Sequence, residues 1–141
     1  IAGHFTFGGY AAWVAHVRVA PGGALRVLRL TGAIDCGLPV NPNGIRAQME
    51  GGACDGLSTA LGEEITIAGG RHVETNFHEY RLMRMAESPP RIDVHIVPGA
   101  TEPAGVGEPP ISPVAPAVTN AVFAATGKRI RRLPIADQLG G

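Results

Sequence analysis

The sequence predicts an α+β fold, a mostly antiparallel sheet with two principal helices packed on one face, and three observations lead there. Tyr10 to Ala20 mixes apolar with small residues, and apolar and polar residues alternate from Ala24 to Leu30 and again near residue 94; two later stretches carry apolar residues at helical spacing; and a Gly/Pro-rich segment before the last helix suits neither element. At 141 residues and 45% hydrophobic content, the chain has the length and the apolar material for one domain, residues 1–141, with one core.

The elements follow in order. Tyr10 to Ala20 carries Trp13, Val14, Val17 and Val19, and Ala24 to Leu30 alternates Leu25, Val27, Leu28 and Leu30 with Arg26 and Arg29. Pro21-Gly22-Gly23 between them is a turn signal, so the pair is an antiparallel hairpin. Ile34 to Val40 reads as a loop, and Asn41-Pro42 then supplies a helix cap followed by proline at the first helical position. From Pro42 to about Leu61, Ile45, Met49, Ala53, Leu57 and Leu61 recur every four residues and define the buried stripe of a helix.

Gly51, Gly52 and Gly56 lie inside that helix, where each costs roughly 1 kcal/mol relative to alanine. Something must therefore approach closely, either another part of the chain or a ligand. Glu63 to Ile67 and Arg71 to Thr75, joined through Ala68-Gly69-Gly70, suggest a second hairpin, and Arg91 to Val97 a further strand. Pro98 to Pro113 is too rich in glycine and proline for a helix or a central strand. Val114 to Thr126 restores helical periodicity, and Gly127 caps its end with Lys128 and Arg129 beside the negative end of the helix dipole.

Composition removes several functions. Twelve basic residues balance twelve acidic ones, which leaves no general electrostatic footprint for nucleic acid. No apolar run is long enough for a membrane-spanning helix. Cys36 and Cys54 fit no metal-ligand spacing, and two thiols cannot build a [2Fe–2S] cluster that needs four ligands. The five histidines, at positions 4, 16, 72, 78 and 95, likewise lack metal-binding spacing, so no metal ligands are assigned.

Glu108 stands apart from the other carboxylates because it sits in Gly105-Val106-Gly107-Glu108-Pro109-Pro110, where glycines permit close approach and prolines restrict movement. Such a loop can present one carboxylate to a site, or simply be a turn with a solvated charge. Gln48, one turn before Gly51-Gly52, could offer a hydrogen-bonding amide to a ligand lying along the helix.

These segments together carry a resemblance. Asp35-Cys36-Gly37, Asn41-Pro42, Gln48-Met49-Glu50-Gly51-Gly52, Gly56-Leu57, Asn76-Phe77 with Tyr80, Gly105 to Pro109, Ala115-Pro116-Ala117, Asn120-Ala121 and Ala125-Thr126-Gly127 stand in one characteristic order. The chain resembles the C-terminal portion of the molybdopterin-binding subunit of the xanthine dehydrogenase and aldehyde oxidase family, above all the isoquinoline 1-oxidoreductase beta subunit branch. The resemblance implies a molybdenum-dependent oxidoreductase that hydroxylates a carbon of an N-heterocycle or an aldehyde with water as oxygen source.

It further implies Glu108 as general base, Gln48 against the cofactor, and Gly51 and Gly52 as the residues that let the cofactor approach. The implied cofactor is molybdopterin, in the cytosine dinucleotide form, with molybdenum. The [2Fe–2S] clusters would sit on a partner chain, and an upstream molybdopterin-binding lobe would complete the site. The compartment, bacterial cytoplasm or periplasm, stays open. So does an alternative in which the chain is a non-catalytic cofactor-binding or assembly module that keeps the lobe fold but is inactive alone.

Overall fold

The computed structural model describes residues 1–140, apart from the side chains at 136 and 137. Its main sheet has the order β1-β2-β3-β6, formed by β1 (Ala2–Thr6), β2 (Gly9–Val19), β3 (Leu25–Asp35) and β6 (Ile92–Ile96). The hairpin expected around Pro21-Gly22-Gly23 is the centre of this sheet, with Tyr10 opposite Asp35 and Val19 opposite Leu25. A bulge between His16 and Val17 shifts the register. β1 pairs antiparallel with β2, and β6 pairs parallel with β3, so the sheet is mostly rather than wholly antiparallel.

Helix α1 (Pro42–Leu61) and helix α2 (Val114–Thr126) have the ends that the sequence marks. Asn41 caps α1 by accepting a hydrogen bond from the Gly44 N–H at 3.0 Å. Gly127 ends α2 in the left-handed region at φ 73°, with its N–H on the Phe123 carbonyl. Both helices pack on one face. Trp13, Val27, Leu30 and Ile34 from the sheet join Ile45, Met49, Ala53 and Leu57 of α1 and Val114, Val118 and Val122 of α2 in a single buried cluster. On the opposite face Tyr10, Val14, His16 and Arg18 are exposed, which is the period-two pattern of a half-buried strand.

Three local expectations change. A strand before residue 9 is absent from the sequence reading because Ala2–Thr6 carries no alternation and is mostly exposed; it is held by pairing through a tight turn at Phe7-Gly8, both with positive φ. The loop expected from Ile34 begins only after Asp35, since Ile34 still pairs with Ala11 and Ile96. The second hairpin shrinks to β4 (Ile67–Ala68) and β5 (Arg71–His72), two exposed residues each, which have no core to extend them. Among the described residues no helix is long and apolar enough to cross a membrane.

Candidate active site

The parallel strands β3 and β6 end side by side, and the segments that leave them stay together. Leu38 N–H donates to the Thr101 carbonyl at 3.0 Å, and Ala104 N–H donates to the Cys36 carbonyl at 2.9 Å. Gly37 lies in the left-handed region at φ 69°, and a side chain on Gly99 would stand 2.8 Å from its carbonyl oxygen. These contacts bring the Gly/Pro-rich loop against the start of α1. Crevices outside the carboxyl ends of parallel strands are a recurrent place for ligands.

In the crevice, Leu38, Val40, Ile45, Gln48, Ala104 and Val106 line a cavity of about 300 Å³. Its walls are chiefly apolar, with the exposed amides of Asn41 and Gln48 as side-chain donors. A Cβ placed on Gly107 would lie 3.8 Å from Gln48 Nε2, so the amide sits beside the residue preceding Glu108. Cys36 is buried at the inner end, and burial together with the neighbouring Asp35 carboxylate pushes its thiol above the ordinary range. Cys36 and Cys54 are both free thiols.

Glu108 is exposed, but the loop that carries it is fixed on both sides. Upstream, the Gly105 N–H donates to the Phe7 carbonyl at 3.2 Å, and a side chain on Gly105 would meet Phe7 Cβ at 2.9 Å. Downstream, Pro109 and Pro110 are buried, and the Ile111 N–H closes a turn on the Glu108 carbonyl at 2.9 Å. The buried Trp13 indole donates to the Pro110 carbonyl at 2.8 Å. Sequence reasoning gives Trp13 a place in the hairpin but no role; the available signal is that a buried indole N–H needs an acceptor.

Contact with another part of the chain accounts for two of the three helix glycines. A Cβ on Gly52 would stand 2.7 Å from Pro110 Cγ, and one on Gly56 would stand 2.6 Å from the Ile111 carbonyl oxygen. Protein therefore fills both spaces: these two glycines seat the Glu108 loop on α1, and the room expected at Gly52 for a cofactor is taken by Pro110. Gly51 is exposed with nothing within 4 Å of a Cβ. Gln48 and Gly51 are thus the candidates that α1 leaves facing outward. All five histidines are exposed, and among the described residues no three His, Cys, Asp or Glu side chains gather as a metal site.

The candidate site is thus a helix offering an amide and a bare glycine beside a clamped loop offering one carboxylate. Residues 2–89 match the molybdopterin cofactor-binding domain family, and the chain belongs to that family. It is 40% identical over 121 residues to a membrane-bound aldehyde dehydrogenase [pyrroloquinoline-quinone] of Gluconacetobacter polyoxogenes, covering 84% of this chain and 16% of that protein. It is 39% identical over 115 residues to isoquinoline 1-oxidoreductase subunit beta of Brevundimonas diminuta, covering 82% and 15%.

The crystal structure of quinoline 2-oxidoreductase from Pseudomonas putida 86 superposes with a TM-score of 0.76 at 26% identity, over 92% of this chain and 17% of that one. The chain thus spans about one sixth of the length of these proteins. They place it among the molybdenum-binding subunits of xanthine dehydrogenase and aldehyde oxidase type, of which it represents a part.

Proposed function

We propose that this chain forms one wall of the active site of a molybdenum hydroxylase acting on an N-heterocycle or an aldehyde, with Glu108 as the general base. The observation that carries the proposal is the pairing of an exposed Glu108 on a doubly anchored loop with Gln48 and the open Gly51 on the adjacent helix. The residues present suit a large flat cofactor: a surface without side chains at Gly51, an amide beside it, and an apolar recess alongside. Gln48 would hydrogen-bond the molybdopterin, Gly51 would allow its close approach, and Gly52 would serve indirectly by seating the loop. The family favours molybdopterin over the quinone named for one relative, because the matched residues define a molybdopterin-binding domain.

When bound, the cofactor would supply two-electron oxidation of an electron-poor carbon with oxygen taken from water. The chain's own part is acid–base chemistry and geometry. The Glu108 carboxylate, held at the loop surface, would accept the proton released as the new carbon–oxygen bond forms. The clamped turn limits the directions from which it can do so, which lowers the cost of orientation. Molybdenum would be held by the pterin, and among the described residues no three His, Cys, Asp or Glu side chains gather as a metal site. Electrons would leave through [2Fe–2S] clusters on a partner chain, and a further lobe of the same subunit would supply the remaining walls; the cytosine dinucleotide form of the cofactor belongs to the same reading.

Exposed apolar side chains support a larger assembly. Phe77 is 94% exposed and Met85 95% exposed on the segment between α1 and β6, which also carries the exposed Ile65, Ile67 and Val73. A non-catalytic assembly module would share the fold and the surface but would not depend on Glu108. The test is Glu108→Gln in the complete enzyme, which keeps shape and hydrogen bonding and removes the base. We expect molybdenum content to persist and turnover to fall by ~10²–10⁴. Parent-rate turnover at full molybdenum content would refute the assignment.

A further inference from the structure

The Glu108 side chain is exposed, and its direction is set first by the backbone that carries it. That backbone is a closed turn, Glu108-Pro109-Pro110-Ile111, joined by the bond from the Ile111 N–H to the Glu108 carbonyl. The two prolines remove two N–H groups and fix two φ angles, so the turn is stiff but has few groups by which the rest of the protein can hold it. Its accessible handle is the Pro110 carbonyl. The Trp13 indole takes that handle from 97 residues away in sequence, at 2.8 Å and out of contact with solvent.

Two glycines make the grip possible. The Trp13 ring lies where Gly32 of β3 has no side chain: a Cβ there would come within 2.6 Å of ring atom Cε3. The Pro110 ring lies where Gly52 has none. A buried core alone would accept any large apolar ring at position 13. The cleared space on both sides and the buried N–H to carbonyl bond specify an indole.

Resting on the assignment of Glu108 as base, we propose that Trp13 is a positioning residue: by holding the Pro110 carbonyl from the sheet, it fixes the direction in which the Glu108 carboxylate is presented. Trp13 touches neither substrate nor cofactor in this account. Loss of its N–H leaves a buried carbonyl without a partner and frees the stiff turn to shift as a unit relative to the sheet.

The experiment uses the complete enzyme with Trp13→Phe, Glu108→Gln and the double variant. A second Trp13 replacement, β-(benzothiophen-3-yl)alanine introduced at that position, keeps the bicyclic ring and removes only the N–H. With molybdenum content and KM unchanged, kcat should fall by about 10²-fold, the scale set by an ångström of misplacement at a reacting centre. In the Glu108→Gln background the same replacement should cost nothing further. Hydrogen–deuterium exchange should also quicken in residues 104–112 while α1 keeps its protection.

A residue that merely fills the core would lower kcat by the same factor with and without the Glu108 carboxylate. That result, or unchanged kcat in the benzothiophene variant while Glu108→Gln is inactive, overturns the positioning role and leaves the base intact. Parent-rate turnover of Glu108→Gln would instead sink the base assignment. The exchange measurement then decides the structural half, since unaltered exchange in 104–112 would show that the indole does not hold the turn.

Discussion

Gly51 and Gly52 are sequence neighbours with opposite surroundings, and alanine at each should move stability in opposite directions. At Gly51 a methyl group enters open space, so Gly51→Ala gains the helix preference of alanine, about 0.5–1 kcal/mol. At Gly52 the same methyl would stand 2.7 Å from Pro110 Cγ, 3.1 Å from Pro110 Cβ and 3.4 Å from Ile111 Cγ1. A proline ring cannot swing aside, and Trp13 holds its carbonyl. Overpacking of this kind costs about 1–3 kcal/mol, from which the helix gain of roughly 1 kcal/mol is to be subtracted.

The two variants should therefore differ by about 1–3 kcal/mol, with Gly51→Ala above the parent and Gly52→Ala at or below it. Urea unfolding of the chain, followed by far-ultraviolet circular dichroism, measures this through the midpoint at unchanged slope. Equal midpoints for the two variants would refute the seating of Pro110 on Gly52. In the complete enzyme the order should invert for cofactor occupancy in one respect: Gly51→Ala, although more stable, should lose molybdenum, because its methyl group stands on the face assigned to the pterin. Undiminished molybdenum in that variant would remove Gly51 from the site.

Other expectations follow from the titrating groups. Asp93 of β6 is held below the ordinary carboxylate range by its bonds to Arg91 and to Arg29 of β3, so its contribution is full above the unfolded value near pH 4 and is lost as pH falls through the lower folded value. The stability difference between the parent and Asp93→Asn should thus be flat from pH 5 to 8, shrink in acid and weaken with salt; a difference that grows in acid would contradict it. Cys54, half-buried, should be alkylated in the native chain well before Cys36, which is buried with a raised thiol; mass spectrometry of timed iodoacetamide labelling reads the order, and simultaneous labelling would show that the inner end of the cavity opens freely.

Where local chemistry decides, the sequence was a sufficient guide. Asn41-Pro42 and Gly127 fix helix ends because a cap and a left-handed stop act within a few residues, and both helices run between the expected bounds. β1 escaped because its stability comes from pairing with β2 rather than from a pattern of its own. The parallel pairing of β6 is equally nonlocal, since nothing in Ile92–Ile96 states which strand edge it joins. The four-residue spacing on α1 also overshoots the helical turn of 3.6 residues. The buried stripe consequently drifts, and at the last turn Ala60 rather than Leu61 is fully buried.

The site shows the same division more sharply. Glu108 and Gln48 could be singled out because their neighbours were unusual, glycines and prolines around one and a glycine pair after the other. What those glycines accommodate depends on a contact more than fifty residues away, and composition cannot distinguish a proline ring from a pterin. The structure puts the adjacent glycines in different surroundings, Gly51 open to solvent and Gly52 against Pro110. Gly52 and Gly56 admit Pro110 and the Ile111 carbonyl, which mounts the Glu108 turn on the same helix that carries Gln48. Amide and carboxylate are then fixed relative to one another through a helix backbone instead of through two independent loops. A displacement of the loop toward or away from α1 must change the distance between them, so Gly52 and Gly56 act on the candidate site by what they hold still.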